Sequence, residues 1–151
     1  MIFNRTQEDV NEAIKLRNEK VKDFQELTES EIATLEKGTL TINTLNRIEA
    51  KQEELKNLFS EIGYWTKPIT NKVWKFSDIF YPEEFTRILT NLDNLVDAFF
   101  VYKDTPNIVD KNYRKYQTIN DIEKILNDLD VMINDVKSNY RECGTFECGE
   151  D

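Results

Sequence analysis

The residues best suited to chemistry are two cysteines close to the end of the sequence, in the stretch "YRECGTFECGED". A structural zinc ion needs four nitrogen or sulfur ligands, whereas the chain contains two cysteines and no histidine. One chain therefore cannot complete such a site without carboxylates. We predict no metal ion and no other cofactor.

Four residues separate Cys143 from Cys148, so a disulfide between them is geometrically allowed. Thiols of a protein made in the cytoplasm stay reduced unless the finished protein reaches an oxidising environment. Free or packed thiols are therefore the favoured interpretation. A disulfide is the alternative, and a metal site shared between chains comes last.

The usual components of an enzyme active site are missing from the sequence. Without histidine there is no common general base, and serine or cysteine triads cannot be completed. Four scattered glycines cannot form a phosphate-binding loop. Acidic pairs such as Asp128 with Asp130 lie in helical repeats, where carboxylates usually face solvent. We therefore predict a protein that is not an enzyme and has no catalytic residues.

The segment from Tyr64 to Ser77, "YWTKPITNKVWKFS", with Phe80 and Tyr81 after it, is unusually rich in aromatic residues for a connection between helices. Two interpretations of these residues are open. They seal one flank or end of a helical bundle, which is the favoured interpretation, or some of them form an exposed anchor for a partner, since tryptophan and tyrosine are frequent at binding hot spots. The candidate partner-binding residues are Trp65, Trp74, Phe76, Phe80 and Tyr81.

Charge and hydropathy restrict the partners of the chain. Twenty basic and twenty-nine acidic residues give a net charge of -9, and no cluster of lysine and arginine interrupts the acidic background. Direct binding to nucleic acid or to an anionic membrane surface is therefore not expected. No apolar run approaches the ~20 residues of a membrane-spanning helix. The start "MIFNRTQEDV" shows no secretory signal, so we expect a chain that is made in the cytoplasm and stays soluble.

The helices that position these residues are marked by caps and by apolar periodicity. Thr6 with Asp9 and Thr28 with Glu31 match capping boxes. They predict one helix from about residue 7 to residue 24 and a second short helix before Gly38, which suits a left-handed position after a helix.

Three longer segments repeat apolar residues in steps of three and four, which predicts one buried stripe on each of three long helices. The stripes consist of Leu45, Ile48, Gln52, Leu55, Phe59 and Ile62; of Phe85, Ile88, Leu92, Leu95, Phe99 and Tyr102; and of Ile122, Leu126, Leu129, Ile133, Val136 and Tyr140. Gln52 is the polar member, which in a bundle fixes register or lies at the edge of the stripe.

The predicted fold class is all-α: a bundle of three long antiparallel helices with one or two N-terminal helices. The chain has the length of one domain. We divide residues 1–151 into an N-terminal helical lead-in (1–38), a core of three long helices (39–141) and a C-terminal tail (142–151). The aromatic-rich connection follows the first long helix. We expect it to pack along the bundle with a short hairpin near residues 70–72.

Several stretches of the sequence resemble a known module: "TLTINTLNRIEAKQEEL", "GYWTKPITNKVW", "EEFTRILTNLDNLVDAFFVY" and "YRECGTFECGE". In this order they are similar to helical modules of tail-associated and minor structural proteins of phages and prophages of Gram-positive bacteria. The stretches "NRTQEDV" and "LTESEIATLEKGTL" extend the resemblance over nearly the whole chain. The segment from Asn46 to Glu49 and the ending "CGTF" are its most distinctive parts.

The resemblance implies a non-enzymatic structural role in a virion, in the tail or elsewhere in the particle. The implied partners are other phage structural proteins, with homo-oligomerisation also allowed, and the implied location is the virion after synthesis in the bacterial cytoplasm. An alternative rests on small size and negative charge. It is a cytoplasmic acidic interaction protein, either an assembly chaperone or an inhibitor that occupies the basic site of a partner.

Overall fold

The described part of the chain is all-helical, as predicted. A computed structural model describes residues 1–108 and 111–143. The helices are α1 (Gln7–Leu16), continued by a π-helical turn (Arg17–Val21), α2 (Glu29–Gly38), α3 (Ile42–Glu61), α4 (Pro82–Ala98) and α5 (Tyr116–Cys143). No strand occurs within these residues. Cys143 ends α5, and Cys148 lies outside the described residues, as does most of the predicted C-terminal tail.

The core is formed where the apolar stripes of α3, α4 and α5 meet. Its fully buried members include most of the predicted stripe residues: Leu45, Ile48, Gln52, Leu55, Phe59, Phe85, Ile88, Leu92, Leu95, Ile122, Leu126, Leu129 and Ile133. The periodicity therefore identified the buried faces correctly. Tyr102 differs, because α4 ends at Ala98 and leaves Tyr102 40% exposed.

The three long helices run in the same direction, so the prediction of antiparallel neighbours is wrong. In each pair of helices, residues that come later in one helix contact residues that come later in the other. From α3 to α4 they join Glu49 to Arg87, Gln52 to Ile88 and Phe59 to Phe99. From α3 to α5 they join Arg47 to Glu123, Lys51 to Asp130 and Glu61 to Lys137.

Parallel helices are possible because both connections are long enough to return along the bundle. A helix of 20 residues spans about 30 Å, and the eleven residues 64–74 in extended form cover up to about 36 Å. Tyr64 packs edge-on against Phe99 where α4 ends, and Trp74 is hydrogen-bonded to Asn46 near the start of α3. The connection therefore packs along the bundle as expected. The chain reverses at residues 75–78 rather than at 70–72.

The N-terminal lead-in is a hairpin of α1 and α2 that approach each other closely but bury few residues. Ala13 is the only buried residue of α1, and Gly38 is the only one of α2. The first helix ends earlier than predicted. After the π-helical turn, Phe24 adopts a left-handed conformation (φ 54°) and its side chain is 95% exposed. The bonds from Phe24 N–H to Val21 and from Gln25 N–H to Lys20 form the usual pattern of a left-handed helix end.

Gly38 serves close packing and not the left-handed position that we predicted for it. It is the last residue of α2, and a Cβ added to it would lie 2.2 Å from the carbonyl oxygen of Asp9 and 2.4 Å from the Cβ of Ala13. Only a residue without a side chain allows α1 and α2 to approach this closely.

We expect Gly38→Ala to lower the free energy of unfolding by about 1–3 kcal/mol, because the added methyl group must push α1 away from α2. Chemical denaturation followed by far-UV circular dichroism measures the effect. Ala33→Val is the control, since it adds atoms at an exposed position of the same helix. Equal stability of the two variants would contradict the close packing.

Both predicted capping boxes are present, and each also links the two helices of the hairpin. Asp9 accepts hydrogen bonds from Thr6 and contacts Lys37 of α2 (2.9 Å), while Glu31 accepts from Thr28 and contacts Lys20 (2.6 Å). The bond from Lys20 and the cap bond from Thr28 lower the pKa of Glu31 from 4.5 to about 2. The pKa of Asp9 is lowered in the same way, most strongly by the bond from Lys37 and less strongly by the bond from Thr6.

The hairpin is therefore expected to lose stability in acid. A carboxylate with a lowered pKa in the folded state stabilises that state above its unfolded pKa, and the contribution is lost as the pH falls through the folded value. For Glu31 the contribution is therefore lost as the pH falls from 4.5 to about 2. NMR secondary shifts of residues 7–21 and 29–38 should show helix loss in this interval. The double variant Asp9→Asn, Glu31→Gln should have weaker helices at neutral pH and no such transition.

Glu12→Gln is the matched control for the acid transition, because Glu12 is exposed on α1. It should behave as the wild type does. If the wild type and the double variant lost their helices at the same pH, the two capping carboxylates would not be responsible.

Candidate partner-binding surface

The five candidate aromatic residues separate into two groups by burial. Trp74 is 4% exposed, and Phe80 is half-buried and packs against Trp74, Phe85 and Tyr113. Trp65, Phe76 and Tyr81 are 76%, 97% and 54% exposed. Trp74 and Phe80 thus seal the end of the bundle where the long helices begin, whereas the other three present aromatic surface to solvent.

Trp74 is held by side chains of α3 on its backbone and on its ring. The amide of Asn46 accepts from the backbone N–H of Trp74 (2.7 Å) and donates to its carbonyl oxygen (3.1 Å). The indole N–H donates to Glu49 (2.7 Å), and the ammonium of Lys72 lies 4.1 Å from the ring centroid. These contacts fix Trp74 in position. The residues before and after it are therefore attached to a rigidly held residue.

Glu49 is the centre of this network. Its buried carboxylate accepts hydrogen bonds from the Lys72 backbone N–H (2.6 Å), the Trp74 indole and both terminal nitrogens of Arg87 (2.8 and 2.6 Å). Arg87 also donates to the carbonyl oxygen of Thr70. The bonds from Arg87 to Glu49 raise the pKa of the guanidinium, an effect that burial partly offsets. One carboxylate of α3 thereby joins α4 to the extended segment 64–74.

A second set of amides holds the middle of the extended segment. Asn91 accepts from Thr70 N–H (3.2 Å) and donates to Thr70 O (2.9 Å) and Gln52 Oε1 (3.2 Å). Gln52 donates in turn to the carbonyl oxygen of Ile88 (2.9 Å) and is fully buried. Asn94 donates to Pro68 O. Gln52 therefore lies inside the bundle and sets the register of α3 against α4, which is one of the two roles foreseen for it.

The exposed residues Val73, Phe76, Ile79 and Tyr81 surround a closed turn, and we call them the turn surface. Their side chains are 79%, 97%, 64% and 54% exposed. Asp78 closes the turn with two bonds: its N–H donates to Lys75 O (2.9 Å), and its carboxylate accepts from Lys75 N–H (3.0 Å). Phe76 is thus presented on a short turn whose two ends are fixed, next to the anchored Trp74.

Trp65 belongs to the opposite end of the bundle. It follows Tyr64, whose ring packs edge-on against Phe99 with centroids 4.9 Å apart, and precedes Lys67, which contacts Asp97 of α4 (2.6 Å). The extended segment lies between Trp65 and the turn surface. The structure therefore does not bring the five candidate residues together in one site.

The sequence interpretation missed the residues that support the turn surface, although a signal was present. Polar residues follow helical spacing next to the apolar stripes. Asn46, Glu49 and Glu53 do so on α3, and Arg87, Asn91 and Asn94 do so on α4. Glu53 accepts from Asn71 of the extended segment (2.8 Å). A polar row of this kind is also typical of the solvent face of a helix, so the signal did not separate the two cases. The structure shows that residues 64–74 lie along it.

Residues 1–108 and 111–143 contain no group of three or more histidine, cysteine, aspartate or glutamate side chains placed to hold a metal ion. None of the helices in that part of the chain has the length and hydropathy needed to cross a membrane. The proposed pairing of Cys143 with Cys148 falls outside what the structure describes.

Comparison of the chain with protein-family models, with characterised proteins and with solved structures finds no match.

Proposed function

We propose that the chain is a non-enzymatic structural protein of a phage or prophage particle and that it docks on another particle subunit through the turn surface. The observation that carries this proposal is the 97% exposed Phe76 on a closed turn beside the anchored Trp74. An aromatic side chain held outside the protein on a rigid support loses little conformational freedom on binding, which favours tight docking.

The surroundings of the turn support a docking role. Val73, Ile79 and Tyr81 add apolar surface on both sides of Phe76. Scattered apolar residues are normal on a protein surface, but several in one short segment are typical of interaction sites. The resemblance to tail-associated helical modules supports a partner within the particle. Three of the described carboxylates of α3 and α5 are buried: Glu49, Glu123 and Asp128. Glu49 and Glu123 are bonded to arginines, and Asp128 is bonded to Lys124 and Thr105, which accounts for all three without a reaction.

The first test is the composition of purified particles. Particles from an induced lysogen that carries the gene are separated from the lysate on a density gradient and analysed by mass spectrometry. We expect the chain in the particle fraction at a fixed ratio to other structural proteins. Its presence in the lysate together with its absence from intact particles would contradict the proposal.

The second test addresses the turn surface. We expect Phe76→Ser to fold normally, because Phe76 makes no buried contact, but to be incorporated poorly. A hot-spot aromatic is worth about 2 kcal/mol or more, or roughly thirty-fold in affinity. Phe100→Ser is the matched control, since Phe100 is an aromatic residue that is 61% exposed in the other long connection.

Two outcomes would argue against docking through the turn surface. Equal incorporation of the Phe76 and Phe100 variants would assign the contact to another surface. Loss of the wild-type interaction at high salt would favour the acidic interaction protein instead, because a contact made through aromatic side chains should survive salt while one made through charge should not.

A further inference from the structure

A cavity of about 600 Å³ lies where the N-terminal hairpin meets the end of the bundle, and it is partly open to solvent. Its apolar walls come from α1, from the start of α3, from the aromatic connection and from the segment leading into α5. They include Val10, Ile42, Leu45, Trp74, Phe80 and Tyr113. The volume falls in the range of small-molecule sites, about 300–1,000 Å³.

The charges on the cavity wall are opposite to the net charge of the chain. Arg5, Arg114 and Lys115 line the cavity, and among the lining residues that the structure describes Asp78 is the one acidic residue. Asp78 lies 3.7 Å from the ammonium of Lys72, which also contacts Glu84 at 3.5 Å. A protein with a net charge of -9 therefore places a positively charged rim at this cavity.

Arg5 carries a buried positive charge that is only partly balanced. Its side chain is 2% exposed, and its Nη1 contacts Glu123 at 2.5 Å. Arg47 binds the other oxygen of the same carboxylate at 2.8 Å. Two guanidinium groups thus share one carboxylate. The further acceptors of Arg5 are neutral, namely Asn120 and the carbonyl oxygen of Ile2, and its Nη2 has no hydrogen-bond partner within residues 1–108 and 111–143.

We propose that this cavity binds a small apolar anion, with an aromatic or short aliphatic body and one carboxylate, sulfonate or phosphate group. The body packs against Trp74, Phe80 and Tyr113, and the anionic group lies towards Arg5 and Arg114. An uncompensated buried cation is costly, so an anion nearby removes part of that cost. This inference is independent of docking through the turn surface, which uses side chains on the outside of residues 73–81.

The ligand class is tested with amphiphiles that differ only in their charge. The probe is 8-anilinonaphthalene-1-sulfonate, an apolar anion that fluoresces when it leaves water. Octyl sulfate, octyl glucoside and octyltrimethylammonium, each below its micelle concentration, then compete with it. We expect octyl sulfate to displace the probe at least about threefold better than octyl glucoside, since one partly exposed charge contact is worth up to about 1 kcal/mol. The cationic amphiphile should compete least.

Two pairs of variants place the binding in the cavity. Ile14→Trp fills the space from α1, where Ile14 is 40% exposed and lines the cavity, and it should weaken probe binding at least about tenfold. Val131→Trp is its control at a 45% exposed position of α5. Arg114→Glu should remove the preference for octyl sulfate over octyl glucoside, whereas Arg17→Glu, at an exposed position that does not line the cavity, should retain it.

Far-UV circular dichroism and urea titration confirm that each variant is folded before binding is compared. Equal probe binding by the Ile14 and Val131 variants would show that the cavity is not the site. Equal competition by the sulfate and the glucoside, or an unchanged preference in Arg114→Glu, would show that the ligand is not an anion. Either result overturns the proposal without bearing on the particle experiments.

Discussion

Replacement of Glu49 by alanine is expected to lower the free energy of unfolding by about 3–5 kcal/mol, the usual cost of removing one partner of a buried ion pair. Glu49 is 2% exposed and accepts bonds from Lys72, Trp74 and Arg87. Its loss leaves the indole N–H of Trp74 and the backbone N–H of Lys72 without their acceptor, and each unsatisfied buried donor adds to the cost. Arg87 loses its buried counter-charge and retains Glu84 and the carbonyl oxygen of Thr70.

The effect should be measured by urea denaturation followed by circular dichroism and by tryptophan fluorescence, because Trp74 loses its indole partner when Glu49 is removed. Glu54→Ala is the matched control on the same helix. Glu54 is about half exposed and pairs only with Lys51 at the surface, so its removal should cost under about 1 kcal/mol. A Glu49 variant as stable as the Glu54 variant would show that the network does not hold residues 64–74.

Replacement of Glu123 by alanine is expected to have a similarly large effect, about 3–5 kcal/mol. Glu123 is fully buried on α5 and is the carboxylate shared by Arg5 and Arg47. Without it, two guanidinium groups remain close together with no counter-charge. The N-terminal segment should then leave α5, because the bonds between Arg5 and Asn120 are the main polar contacts that remain there.

Release of this segment can be detected by limited trypsin digestion. Trypsin cuts after arginine, and burial of Arg5 (5% exposed) protects that bond in the folded protein. In Glu123→Ala, cleavage after Arg5 should be faster than global unfolding allows. Asp135→Ala, which removes an exposed carboxylate of the same helix, should be cut as slowly as the wild type. Equal cleavage in both variants would contradict the role of Glu123.

Local features of the fold were predictable because they depend on neighbours in sequence. The capping boxes at Thr6 and Thr28, the first helical position of Pro82 and the end of α3 before Gly63 (φ +84°) all follow from short-range hydrogen bonding or backbone preference. The buried stripes followed from helical spacing alone. Gln52 could be placed on the core stripe in the same way, but its partner Asn91 could not, because 39 residues separate them.

The direction of the helices was not predictable from periodicity, since a stripe buries the same residues whether its neighbour is parallel or antiparallel. The direction of the helices is instead related to the length of the connections and to the polar residues of α3 and α4 that bind them. The candidate site shows the same limit. Composition identified an aromatic segment, but burial of Trp74 and exposure of Phe76, two residues apart, depend on which residue has its backbone bound by Asn46 and its side chain bound by Glu49.

The sequence by itself determined an acidic, all-helical chain, the faces that its helices bury and the caps at which its N-terminal helices begin. These properties are local, because each depends on residues within one or two helical turns. Only the tertiary structure decided the parallel course of α3, α4 and α5, the position of Glu49 and Glu123 between distant segments, and the presentation of Phe76 on the outside. Those properties depend on contacts between residues 23 to 118 positions apart, which local preference does not encode.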